Sequence, residues 1–445
     1  MNANSAHPRV LRRQGKLGCS GHTRRCPTYL SIMAAALCVV HLLLPIERGF
    51  PVVRIAGYPV TLTLLVSTLS MLILFMGSNG RIITSFPKKY LPYQLVVVWF
   101  FLISAFISDD VEASLFVVLS YCATFVLDFL IIYYLFKLGF RQHFVNIMCA
   151  VVAVAALIGI AESVFRYYMP FYRDWFLTYN YQAMQHAMTR SDFRVLGTLG
   201  NPIIYSVVMV LAFPFALEIR YRLLRILMVG ILLIVTVFAV STTTAMMWLV
   251  LLSGLFLVSG RKTRFKFLIA AVAVIVIALL ISRFLKDAMG SLVSGWSREF
   301  AVGEQANEQL INIQIRLDLF LWVFTRFTYD PVSLLFGHGL KSAILTVQTL
   351  GLGSLATLDN TYTTIFFESG ALGLMAFLAV GSNVLVGHRW AIRKNLHWYS
   401  ILSLLVAGFA FTTIYYATFN LIWVASVATL AFDTQGRSNR CIVPS

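Results

Sequence analysis

Long apolar runs constrain this chain more than any motif does. A helix that crosses roughly 30 Å of hydrocarbon at 1.5 Å per residue needs about 20 mostly apolar residues. About twelve such runs occur along the sequence. The first five lie near Tyr29 to Leu44, Tyr58 to Gly77, Tyr90 to Ile107, Ser114 to Phe136 and Phe144 to Phe165. Four follow near Leu199 to Leu217, Ile226 to Val240, Thr242 to Ser259 and Phe267 to Phe284, and three near Asn360 to Gly381, Tyr399 to Tyr415 and Ala417 to Phe432. Only 12% of residues are charged, about half the share in soluble domains. A water-soluble globule of this make-up would expose large apolar patches. Disordered, collagen-like and disulfide-stapled secreted classes fail as well, because the chain is too apolar, too long and has too few Cys. The expected fold class is an all-α polytopic membrane protein of about 12 transmembrane helices.

A net charge of +17 from 35 Lys and Arg would suit a nucleic-acid partner, but its placement argues for none. The basic residues cluster between the runs, as cytoplasmic loops do. Arg9, Arg12, Arg13, Lys16, Arg24 and Arg25 precede the first run and place the N-terminus inside. Twelve crossings then put Arg81, Lys88 and Lys89 inside, followed by Lys137 and Arg141, then Arg220, Arg222 and Arg225. Arg261, Lys262, Arg264 and Lys266 come next, then Arg389, Arg393 and Lys394, and lastly Arg437 and Arg440. Asp109, Asp110 and Glu112 fall outside, and both termini are cytoplasmic. Pro45-Ile46-Glu47-Arg48 is no small-residue cleavage site, so the first run reads as a retained signal anchor.

The organisation expected is a basic cytoplasmic tail at 1–28, helices one to nine over 29–284 with an extracytoplasmic loop at 166–198, and a large extracytoplasmic loop at 285–359. Helices ten to twelve follow over 360–432, with a cytoplasmic tail at 433–445. Cys19, Cys26, Cys38, Cys122, Cys149 and Cys441 all fall in tails or runs, so no disulfide framework is expected. Cys19 and Cys26 lack a second pair to complete a zinc site, and no metal is expected.

Both outer loops are too long for simple connections, and long loops carry function. In the second, Ile311, Ile315, Leu319 and Trp322, with Phe320, Val323 and Phe327 beside them, follow a helical period and read as an amphipathic helix roofing a cavity. Basic residues stranded outside include Arg166, Arg173, Arg190, Arg194, Arg298, Arg316, Arg326 and Lys341. Pairing with Asp174, Asp192, Glu299, Asp318 or Asp330, or snorkelling to headgroups, accounts for most of them. Arg194 and Arg316 stand apart. The first precedes Leu196-Gly197-Thr198-Leu199-Gly200-Asn201-Pro202, and the second lies on the amphipathic stretch. A guanidinium at the bilayer surface suits a pyrophosphate, which it binds bidentately without losing its charge.

Asp359 opens Asp359-Asn360-Thr361-Tyr362 at the head of the tenth run, and a helix N-cap alone would account for it. Leu335-Phe336-Gly337-His338-Gly339-Leu340 is a glycine turn too short to be a phosphate loop; His338 reads as structural, with substrate contact as its alternative. Asp128, inside the fourth run, is either an ion-coupling carboxylate or a protonated packing residue, and no recurring partner is evident in the sequence. Hydrolase, metalloprotease and ATPase signatures are absent.

Taken in order, these pieces resemble the O-antigen polymerase and ligase superfamily, most strongly between Arg194 and Gly373. They are the Arg194-to-Pro202 motif at a run entrance, a tight Ser/Thr-rich hairpin, and a long outer loop with an Arg-bearing helix and a Gly337-His338-Gly339 turn. Asp359-Asn360-Thr361-Tyr362 and Glu368-Ser369-Gly370-Ala371-Leu372-Gly373 follow. The resemblance implies a GT-C-like, metal-independent glycosyltransferase without a cofactor, in the bacterial inner membrane with its site facing outward. Its partners would be a polyprenyl-pyrophosphate-linked oligosaccharide and the lipid bilayer, with a chain-length regulator and a flippase beside it. Arg194 and Arg316 would hold the pyrophosphate, Asp359 would be the general base, and Asn360 and Tyr362 would orient the sugar or that carboxylate. His338 and Asn201 complete the candidate binding residues.

Many members of that superfamily carry Ser-Arg where this chain has Ser241-Thr242-Thr243-Thr244, and ligases often carry His-Asn where it has Asp359-Asn360. Both departures point to a surface-polysaccharide polymerase. A ligase is the alternative, and a lipid-linked oligosaccharide flippase or other transporter is the rival from another class.

Overall fold

The computed structural model describes residues 28–44, 51–55, 58–77, 90–168, 195–199, 201–239, 241–259, 318, 321–325, 330–340, 342–343, 346, 360–408 and 417–438. Their regular elements are helices, apart from an antiparallel pair, β1 (Pro51–Ile55) and β2 (Tyr58–Thr61). The helices are α1 (Thr28–Leu42), α2 (Leu62–Gly77), α3 (Leu91–Ile107), α4 (Val111–Lys137), α5 (Arg141–Phe165) and α6 (Pro202–Leu217). Then come α7 (Arg222–Phe238), α8 (Thr242–Val258), the short α9 (Pro331–Phe336), α10 (Thr361–Gly387), α11 (Leu396–Ala407) and α12 (Ala417–Ser438).

Three of these, α4, α5 and α10, the last interrupted at Gly370, have the length and apolar composition to cross a membrane. The shorter apolar helices α1, α2, α3, α6, α8, α11 and α12 pack around them. The surface is lipid-like: Leu223, Leu224, Ile226 and Leu227 of α7, Leu69, Leu72 and Met76 of α2 and Trp99 of α3 are all exposed. The interior holds small polar groups instead. The Ser206 and Thr244 hydroxyls meet at 2.5 Å, and Asn420 donates to Thr124 Oγ1 at 2.9 Å. Small polar side chains joining helices across an interior are how helices associate where lipid gives no hydrophobic drive.

Element boundaries follow local chemistry. The Tyr58–Gly77 run, expected as one helix, opens with strand β2, because Pro59 restricts the backbone and Thr61 Oγ1 accepts from the Leu64 amide at 3.3 Å, starting the helix at Leu62. Asp110 caps α4 by accepting from the Ala113 amide at 2.9 Å, with Glu112 in the favourable first turn. Inside α4, Cys122–Leu127 widen into a π-turn closed by the Asp128 amide on the Ala123 carbonyl. The seventh run starts earlier than its apolar stretch, with Arg222 and Arg225 in the first turn of α7. The ninth run, Phe267 to Phe284, lies outside the described residues, as do most of residues 166–198 and 285–359.

Candidate functional site

The first ten residues of α10 organise the region that the sequence singles out. Asn360 is the N-cap: its Oδ1 accepts from the Tyr362 amide at 2.8 Å and the Thr363 amide at 3.2 Å. The capping considered for Asp359 therefore belongs to its neighbour. The Thr361 amide donates to the Gly408 carbonyl at 2.8 Å and the Tyr362 hydroxyl to the Leu405 carbonyl at 2.5 Å, tying this end of α10 to the end of α11. Tyr362 also walls a narrow cleft with Tyr121, Phe125, Phe377, Asn420 and Trp423.

Ten residues on, α10 breaks at Gly370 (φ 67°, ψ −171°). Carbonyls just before a break lack partners within the helix, and the glycine turn supplies them. His338 N–H donates to the Phe367 carbonyl at 2.9 Å, Gly339 N–H to the Glu368 carbonyl at 3.1 Å, and Ser104 Oγ to that same carbonyl at 2.5 Å. A Cβ on Gly337 would stand 2.2 Å from the Glu368 carbonyl oxygen, and one on Gly370 would stand 2.3 Å from the Leu335 carbonyl carbon. Two backbones approach here as only glycine permits.

The turn continues to Leu340, whose carbonyl accepts from Ser114 Oγ at 2.9 Å and Ser108 Oγ at 3.3 Å, joining it to the adjacent ends of α3 and α4. Asp330 caps α9 through the Val332 amide and the Ser333 hydroxyl. The Ser333 hydroxyl first, then the Val332 and Ser333 amides and nearby His338, hold the Asp330 carboxyl below its ordinary value.

Aromatic rings cover this junction. His338 lies 4.8 Å from the Phe367 ring at 43°, Trp322 lies 5.8 Å from the same ring, and Phe324 stacks on Phe366 at 5.2 Å. Val323 is fully buried beside them. Residues 321–325, the described part of the expected amphipathic segment, pack against α10 through these rings.

His338, Asn360 and Tyr362 therefore lie along one stretch of α10, whereas Asn201 belongs to another corner. Asn201 caps α6, accepting from Ile203 and Ile204 amides at 2.9 and 3.3 Å. Just before it, the Gly197 amide donates to Glu162 Oε2 at 2.8 Å and Thr198 Oγ1 to the Leu42 carbonyl at 3.2 Å. Gly197 has φ +56°, and a Cβ there would meet the Tyr205 ring at 2.3 Å. The motif thus joins the ends of α1, α5 and α6. Arg194, Arg316 and Asp359 lie outside the described residues.

The opposite end of the bundle holds a charge cluster that sequence reading missed. Arg141 donates to Glu218 at 2.6 Å and to Asp433 at 2.8 Å, His397 Nε2 lies 3.0 Å from Glu218, and Asn395 donates to Asp433 at 3.0 Å. Burial disfavours the charge on Glu218, but the His397 hydrogen bond, its charge and that of Arg141 outweigh it and bring the carboxyl down to about 2. Asp128 also has a partner that its sequence context hid: His41 Nε2 lies 3.0 Å from its Oδ2, both side chains fully buried.

No protein-family model matches this chain. No curated protein matches it either.

Proposed function

We propose that this chain is a multi-pass, GT-C-like polymerase of a bacterial surface polysaccharide, with about twelve spans and both termini in the cytoplasm. The acceptor would be the sugar of a lipid-linked repeat unit, and the donor a glycan on a polyprenyl pyrophosphate at the outer face of the inner membrane. One observation carries the reading. The motif order runs from Arg194 through the glycine turn to Asp359-Asn360-Thr361-Tyr362, and the turn is docked on the helix that Asn360 begins.

In this mechanism Asp359 takes the proton of the acceptor hydroxyl as its oxygen attacks the anomeric carbon. The bond from that carbon to the pyrophosphate oxygen breaks, and Arg194 and Arg316 stabilise the charge left on the pyrophosphate. Asp359→Ala and Arg316→Ala are expected to abolish polymer while the protein still reaches the membrane. Normal polymer from both variants would overturn these roles.

A flippase is the second reading, and the break in α10 is the observation that favours it, since transporters use discontinuous helices. The carbonyls of Phe367 and Glu368, however, accept from His338, Gly339 and Ser104 and so hold the turn instead of lining a path. The enzymatic reading stands ahead.

A further inference from the structure

The narrow cleft at the head of α10 is walled on one side by a buried donor. Trp423 of α12 is only 6% exposed, yet its indole N–H finds no acceptor among the described residues. Buried indoles normally find one. Asn420 lies one helical turn before Trp423, on the same face of α12, and lines the same cleft. Thr124 Oγ1 spends its one hydrogen on the Ser120 carbonyl at 3.0 Å, so toward Asn420 it can only accept. Asn420 therefore turns its Nδ2 to Thr124, at 2.9 Å, and its Oδ1 away from it. Tyr121, one turn before Thr124 on α4, brings a phenol oxygen to the cleft.

The lining residues thus carry an indole that only donates, an amide oxygen that only accepts and a hydroxyl that does either. A carbonyl or phosphate oxygen would satisfy the indole and leave the amide oxygen bare. An ammonium would do the reverse. A hydroxyl group serves both, because it accepts and donates. Size agrees: the free space between the lining side chains is about 20 Å³, room for one water-sized group. Phe125, Phe377 and Tyr362 make the rest of the lining mostly apolar, the usual setting for a few fixed polar groups. The π-turn of α4 follows Tyr121 directly and includes Phe125, and such turns occur frequently at functional sites.

We propose that this cleft binds a single hydroxyl group, which accepts from Trp423 Nε1–H and donates to Asn420 Oδ1. Two sources carry that chemistry: an ordered water, or one hydroxyl of a glycan whose ring stays at the mouth beside Tyr362. The site does not depend on the polymerase reading; the glycan source rests on it.

NMR of the indole N–H groups tests the proposal and separates the sources. The full chain, in lipid nanodiscs with isotope-labelled tryptophan, is compared before and after adding a lipid extract from a strain lacking the gene. Trp423→Phe keeps an aromatic ring and removes the N–H, which assigns the resonance among the eight tryptophans. Where that variant does not fold, the resonance shifted by Tyr121→Phe assigns it instead. A hydrogen-bonded indole proton with a cross-peak to water before any extract is added makes water the source, and Trp423→Phe should then rescue the strain fully. A proton that moves to the hydrogen-bonded position only with the extract makes a glycan hydroxyl the source, and rescue should fall about tenfold. An indole proton that shows neither contact overturns the proposal. The glycan accumulating in the deletion strain tests the polymerase reading separately, and failure there would leave the water-bound site intact.

Discussion

The Gly339 amide donates to the Glu368 carbonyl at 3.1 Å, so the glycine turn completes the hydrogen bonding of a helix broken two residues later, at Gly370. The turn is thereby part of the bundle's architecture, and the glycines at this contact are structural before they are anything else.

Gly337→Ala and Gly370→Ala should each destabilise the protein by about 2 kcal/mol or more, since a left-handed backbone alone costs roughly 1–2 kcal/mol and the new Cβ meets main chain. Gly230→Ala is the control: nothing lies near its Cβ position, and α7 should tolerate or welcome it. Thermal unfolding in detergent reads both effects; equal melting temperatures for all three variants would contradict the close backbone approach.

Asn360 caps a helix and is a candidate substrate contact, and the two roles separate by substitution. Asn360→Ala should lose about 1 kcal/mol of stability, whereas Asn360→Ser should lose much less because it still caps. Polymer lost in a stable Asn360→Ser variant would assign the amide to substrate. Asn201→Ala and Asn201→Ser test α6 in the same way.

The cluster of Arg141, Glu218, His397 and Asp433 makes stability depend on acid. Glu218 falls from an ordinary 4.5 to about 2 in the folded protein. Its contribution is therefore complete above pH 4.5 and is lost as the pH falls toward 2. Glu218→Gln should flatten the stability profile in that window. Arg141→Ala, which strands two carboxylates, should cost on the order of 2–4 kcal/mol at neutral pH. Denaturation in detergent at stepped pH reads both, and a wild-type profile that stays flat below pH 4.5 would contradict the linkage.

Trp322 against Phe367 and Phe324 against Phe366 hold the loop on α10. Trp322→Ala should loosen that contact by roughly 3 kcal/mol. Faster proteolytic cleavage between residues 318 and 330, with the melting temperature little changed, is the expected result; unchanged cleavage would mean the rings are not what docks the segment.

The helices were legible because about 20 apolar residues in a row admit few folds. Asn201 stood in the sequence as a candidate binding residue at a run entrance, and the structure makes it the N-cap of α6, with Pro202 in the first turn. The turn at Gly337 and Gly339 showed its glycines but not their reason, which lies in Glu368 and Ser108, far away along the chain. The partnership of Asp128 with His41 was invisible for the same cause: helix packing brings α1 and α4 together, and no spacing rule connects those positions. Glu218 looked like an ordinary loop acid because Arg141, His397 and Asp433 come from three other helix ends.

The central claim is best tested by identifying the glycan that accumulates in a strain lacking this gene. Single repeat units, carrier-linked or attached to the cell surface, are the expected result, because translocation would proceed and chain extension would not. Long polymer still attached to its lipid carrier would make the protein a ligase. Repeat units trapped on the cytoplasmic face would contradict the account and favour a flippase.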